Sequence, residues 1–200
     1  ALSWSHSLEL KAVSIIACWL MRFKCWFSEC AVKLFCQTRA SKLNGWLTSI
    51  TASASMQVMS AGTGLTHSEF NDSKTNETNF LQLWIIPEKQ EVAPYYNQKE
   101  FKEADRKNKF QTLVSPRTNL VEGSLPIHQQ GYISMIDLDE NIETEYHLKN
   151  GAYFFLIDGE VNIADETLEK RDAVGIIETE KVTVKANKNS KLLVVDVPMQ

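Results

Sequence analysis

The chain has 200 residues, enough for one domain or two small ones, and its 44% hydrophobic and 23% charged residues are the composition of a soluble globular protein. A net charge of −4 is too mild to recruit nucleic acid or a membrane surface, which excludes both as partners. The average conceals a division at about position 55. Residues 1–55 carry six basic side chains (Lys11, Arg22, Lys24, Lys33, Arg39, Lys42) against Glu9 and Glu29, leaving 15 basic and 23 acidic residues, a net of −8, for the rest.

That first segment also holds all four cysteines (Cys18, Cys25, Cys30, Cys36) and four of the five tryptophans, with no Asp, no Pro and only Gly45 as a turn former. The apolar run Ala12–Met21 ends at Arg22 and Lys24, short of the ~20 residues that cross a bilayer, so a spanning or signal segment is not expected. Cysteine spacings of seven, five and six do not match the Cys-x-x-Cys of a zinc site. With turn residues this scarce, the segment is expected to be helical, disordered or poorly packed. The segment reads as foreign to the fold, for example a frame-shifted or misassembled start to the gene, and its lack of an initiating Met agrees with a fragment.

Next comes the string Met56-Gln-Val-Met-Ser-Ala-Gly-Thr-Gly-Leu-Thr-His-Ser-Glu-Phe70. Gly62 and Gly64 permit a sharp turn before an extended stretch. On a strand, His67 and Glu69 leave the same face, and an imidazole beside a carboxylate is half of a site for a divalent transition metal. Phe80–Ile86 reads as a strand stopped by Pro87. Residues 87–130 are polar and irregular, with Gln98–Lys109 predicted as a short helix packing Phe101 and Ala104 inward. Tyr132–Leu138 is another strand. Ala152–Ile157 and Glu160–Ala164 flank Asp158-Gly159, which suits a two-residue type I′ hairpin turn. Ala173–Ile177, Lys181–Ala186 and Leu192–Val197 complete a run of short strands, separated by turns at Glu169–Asp172 and Asn187–Ser190, and this rhythm predicts a small β-sandwich or barrel.

From Met56 to the C-terminus the chain resembles the pirin family of bicupins, also called YhhW-like or YhaK-like. The resemblance rests on the Met56–Phe70 string, Asn79–Glu88, Ser115-Pro116, Gly123-Ser124, Ile127-His-Gln129 and the closing Leu193–Pro198. It implies an all-β fold of the cupin superfamily with two β-sandwich or barrel units, the N-terminal one incomplete. The domains it implies are an unmatched segment 1–55, the remainder of the first cupin over 56–88, a linker with a short helix over 89–123, and the second cupin over 124–198. It further implies one metal, iron, held by three His and one Glu in the first unit. His67 and Glu69 match the second pair of those ligands. The first pair, a His-x-His, belongs near position 25, where no histidine stands; the only upstream histidine is His6. His128 matches a structural position, and His147 reads as a surface or hydrogen-bonding residue.

The activity implied by the resemblance is flavonol (quercetin) 2,3-dioxygenation. In it the metal acts as Lewis acid and template, and Glu69 is both ligand and proton acceptor for the flavonol 3-hydroxyl. With two of four ligands missing, that activity is expected to be impaired. The alternatives are a non-enzymatic partner of another protein, which the acidic body suits, and an inactive product of a damaged reading frame. A small aromatic flavonol, a monomeric state and a cytoplasmic location complete the expectations.

Overall fold

The computed structural model of the chain describes residues 13–16, 24–25, 30–35, 42–43, 46–47, 54–62, 65–66, 80–89 and 92–199. In chain order, the first unit contains β1 (Val13–Ile16), β2 (Lys24–Cys25), β3 (Cys30–Phe35), β4 (Lys42–Leu43), β5 (Trp46–Leu47), β6 (Ala54–Ser60), β7 (Leu65–Thr66), β8 (Phe80–Ile85) and β9 (Tyr95–Phe101). The second contains β10 (Gln111–Pro116), β11 (Leu125–Ile127), β12 (Tyr132–Leu138), β13 (Glu143–His147), β14 (Gly151–Asp158), β15 (Glu160–Ile163), β16 (Glu166–Glu169), β17 (Ala173–Ile176), β18 (Lys181–Ala186) and β19 (Ser190–Val197). Among the described residues the only helical turns between strands are of 3-10 type, Glu103–Asp105 and Arg117–Asn119. No helix among the described residues is long and apolar enough to cross a membrane.

Two expectations are corrected in the first unit. Residues 1–55 were expected to lack ordinary strands, yet β3 is paired on both sides, with Val32 opposite Val58 of β6 and Leu83 of β8. The order of that five-stranded sheet is β1-β8-β3-β6-β9. Scarce turn residues do not forbid strands whose partners come from later in the chain, and Val-Ser-Ile-Ile and Cys-Ala-Val-Lys-Leu-Phe are good strand formers. The second correction concerns Gln98–Lys109. Its first part is strand, because β9 pairs with β6 as the sheet edge, and only Glu103–Asp105 turns. An edge strand with one wet face carries polar residues that imitate a helical surface. Phe101 is buried as expected, whereas Ala104 is exposed.

The second unit is a sandwich of a six-stranded sheet, β11-β10-β12-β19-β14-β17, and a four-stranded sheet, β13-β18-β15-β16. Asp158-Gly159 is a turn, but not the expected hairpin. β14 pairs with β17 and β19 in the larger sheet, while β15 pairs with β16 and β18 in the smaller one. The chain therefore changes sheets at this corner, helped by a register shift between Leu156 and Asp158. Gly159 has φ +99°, while Asp158 does not share the positive φ that a type I′ turn demands. The close two-residue hairpin is one turn later, at Ala164-Asp165, where Ile163 faces Glu166.

The six-stranded sheet is buried on both faces. On β12 and β19, Ile136, Leu138, Leu192 and Val194 pack into the sandwich with Phe154, Leu156, Val161, Val182 and Val184. Their alternates Ile133, Met135, Leu193 and Val195 pack the other way, against Met56, Val58, Leu81, Leu83 and Ile85 of the first unit. The two units thus share one sheet face. Within the second unit the motif residues Ser115, on β10, and Ser124, just before β11, meet with their hydroxyls 2.7 Å apart, and Ser115 also accepts from Val121 N–H. Arg106, 1% exposed, fastens the segment between units: its Nε lies 2.9 Å from Asp137 Oδ2 and its Nη1 donates to the Phe101 carbonyl at 3.2 Å. The Nε contact is off the N–H axis, so it is an ion pair more than an aligned hydrogen bond.

Candidate functional site

His67 and Glu69 lie outside the described residues, and so does the turn residue Gly64. What leads to them is described. Gly62 has φ +57°, and a Cβ there would come within 2.8 Å of Val92 O and 2.9 Å of the Pro94 ring, so the turn admits glycine alone. β7 then pairs with β2, Leu65 opposite Cys25 and Thr66 opposite Lys24. The strand beside the entry to His67 thus carries Lys and Cys at the positions near 25 where the resemblance requires His-x-His. No group of three or more His, Cys, Asp and Glu side chains suited to a metal occurs among the described residues. One imidazole and one carboxylate do not complete a four-ligand set.

The remaining described histidines have other uses. His128 accepts the Glu88 N–H through its carbonyl at 2.7 Å, joining the two units, and burial followed by the Arg117 charge holds its imidazole below the usual range. Its position is structural. His147 is exposed on β13.

A second concave feature, unanticipated from the sequence, opens at one end of the second unit's sandwich. Phe110, Thr112, Tyr132, Ser134, Glu145, Tyr146, His147 and Lys149 line a pocket of about 200 Å³. Strand alternation brings Tyr132 and Ser134 to this side of β12, and Tyr146 is the inward residue of β13. Tyr146 meets Phe110 edge-on at 4.8 Å and Phe154 at 5.5 Å, which fixes its ring. Asn119 Nδ2 donates to the Tyr132 hydroxyl at 2.9 Å. Beneath lies Asp196, 0% exposed and opposite Tyr132 in the β12–β19 register. Its Oδ2 accepts Lys149 N–H at 2.6 Å, while Oδ1 has no hydrogen bond of ordinary geometry.

Desolvation raises the Asp196 carboxyl above the usual carboxylate range despite the donors at Lys149 and Asn150. Desolvation first, and then the Asp196 charge, push the Tyr146 phenol well up, so it stays protonated. Its hydroxyl approaches both Ser134 and Asp196 closely enough to be perturbed by them. The legible signal was an acid interrupting the apolar run Leu192–Val197; the aromatic and hydroxyl residues come from three separate strands and show no spacing.

Two stacked cupin-type β-units sharing a sheet face define the class: the chain is a bicupin. A family profile described as pirin matches residues 44–85, and one described as quercetinase C-terminal cupin domain matches residues 112–197. Among curated relatives, a quercetin 2,3-dioxygenase of Escherichia coli K12 is 31% identical over 71% of this chain and 60% of its own length. A pirin-like protein of Caulobacter vibrioides is 32% identical over 73% and 63% respectively. The crystal structure of the bacterial pirin YhhW from Escherichia coli in complex with nickel(II) superposes with TM-score 0.76 at 22% identity, covering 94% of this chain and 76% of that one. The chain belongs to the pirin family. It spans about three fifths of the length of the curated relatives it matches.

Proposed function

We propose that the chain is a pirin of the quercetin 2,3-dioxygenase lineage in which His67 and Glu69 survive as half of a divalent-metal site. It holds iron weakly or not at all, and flavonol cleavage is lost or strongly reduced. The observation that carries this reading is the pairing of Leu65–Thr66, the strand entering the His67–Glu69 segment, with Lys24–Cys25 in place of a His-x-His. A relative named quercetin 2,3-dioxygenase and a relative crystallised with nickel support the divalent metal and the flavonol substrate class. Lysine is protonated at neutral pH and supplies no lone pair, so at position 24 no ligand stands where an imidazole would, and the adjacent Lys-Cys pair does not reproduce the i, i+2 geometry of His-x-His.

The test is elemental analysis of the purified chain after dialysis against a chelator, with a quercetin-consumption assay on iron- and nickel-reloaded protein. Substoichiometric metal and no quercetin loss are expected. Near-stoichiometric retained iron would overturn the proposal, and His67→Ala would then show whether these residues hold it. A non-enzymatic association with a basic protein partner is the second reading, favoured by the net −8 of residues 56–200; such a complex would weaken steeply with added salt.

A further inference from the structure

We propose that the mouth of the second unit binds a hydroxybenzoate-type ligand, one aromatic ring with its phenol seated on Ser134 and Thr112 and its carboxylate at Lys149. This site is separate from the His67–Glu69 segment and goes beyond the flavonol reading.

Size decides the ring count. The pocket, about 200 Å³, is smaller than the ~300–1,000 Å³ of sites for drug-sized molecules, a volume that suits a single ring. The walls are aromatic and already fixed: Tyr146 between Phe110 and Phe154, and Tyr132 tethered by Asn119. A ring entering there meets ordered faces, which removes part of the entropy cost of binding.

The polar groups set the orientation. At the inner end the Thr112 and Ser134 hydroxyls stand 3.5 Å apart, a long contact, and Ser134 also lies against the Tyr146 hydroxyl, so each retains acceptor capacity for a ligand O–H. Behind them lies the buried Asp196, opposite Tyr132 in register and beside the Tyr146 hydroxyl, and its charge disfavours a second anion at that end. At the rim, Glu145 is neutralised by Lys181 at 2.7 Å. Lys149 is exposed, its Nζ 5.8 Å from the Tyr132 ring centroid, with no carboxylate at ion-pair distance among the described residues. The rim therefore offers a cation held in no ion pair, which Asp196 feels only from below, and the ligand end nearest solvent is an anion.

The probe is 4-hydroxybenzoate, titrated into the full chain with EDTA present and followed by calorimetry and saturation-transfer NMR. A ligand of this size is expected to saturate with Kd roughly 0.1–1 mM. Benzoate, lacking one hydrogen bond, should bind about fivefold more weakly. Lys149→Gln should weaken both acids and flatten the salt dependence. Ser134→Ala should weaken 4-hydroxybenzoate and leave benzoate unchanged; should it misfold by circular dichroism, the benzoate comparison on the unmodified chain stands in its place. No saturation up to about 10 mM, equal affinity for the two acids, or affinity unchanged in Lys149→Gln would overturn the proposal. Because EDTA strips metal, a failure here leaves the metal proposal standing, and the reverse also holds.

Discussion

Replacing Gly159 by alanine tests the corner at which the chain passes from one sheet of the second unit to the other. An added Cβ would lie 2.2 Å from Ser190 Oγ, 2.5 Å from Asn189 O and 2.6 Å from Ser190 Cα. Two of those three are backbone atoms, so a rotamer change cannot relieve the clash. Ser190 Oγ accepts Glu160 N–H at 3.0 Å and donates to Glu160 O or Lys188 O, at 3.1 and 2.6 Å. Displacing it disrupts one accepted and one donated bond, each worth about 1 kcal/mol net. An L-residue at φ +99° adds backbone strain of roughly 1–2 kcal/mol. The expected loss is about 3–4 kcal/mol, read as a urea midpoint shift and a fall in Tm of roughly 10 °C for a chain of this size. Gly175→Ala is the control: a Cβ there meets nothing within 4 Å, so stability should stay within about 0.5 kcal/mol or rise slightly. Ser190→Ala should not rescue Gly159→Ala, because Asn189 O and Ser190 Cα remain. A Gly159→Ala loss below about 1 kcal/mol would show that the corner relaxes freely, refuting the steric argument.

Arg106→Met should cost about 3 kcal/mol in urea unfolding, because it leaves the half-buried Asp137 without its cation and the Phe101 carbonyl without a donor; an unchanged midpoint would mean the ion pair contributes nothing. Asp196→Asn has a pH signature. The Asp196 carboxyl is raised in the folded protein, so its ionisation opposes folding above the unfolded-state pKa and costs nothing where both states are protonated. The stability of Asp196→Asn relative to the unmodified chain should therefore climb as pH rises through the carboxylate range and level off above it. A difference that is flat from acid to neutral pH would rule out the buried charge as the cause.

The sequence by itself determined the all-β class and the identity of the second unit, because strand alternation and chain breaks at Gly, Asp and Asn are local properties of the backbone. It also carried the requirement for glycine at position 62, although Val92 and Pro94, which enforce it, are distant in the chain. Tertiary structure alone decided which sheet each strand joins. Asp158-Gly159 reads as a hairpin locally, yet β19 and β18 supply better partners for the two flanking strands, and pairing energy outweighs turn preference. The polar face of Gln98–Lys109 hid an edge strand because Gln57 and Ser55, remote in sequence, bond to Gln98 from the neighbouring strand. Leu81 and Leu83 pack on the second unit, against the face carrying Ile133, Met135, Leu193 and Val195. That same face would be exposed were the second unit alone, so the two units are held by one shared apolar layer. Burial of side chains from opposite ends of the chain is a long-range energy term, and no local pattern encodes it.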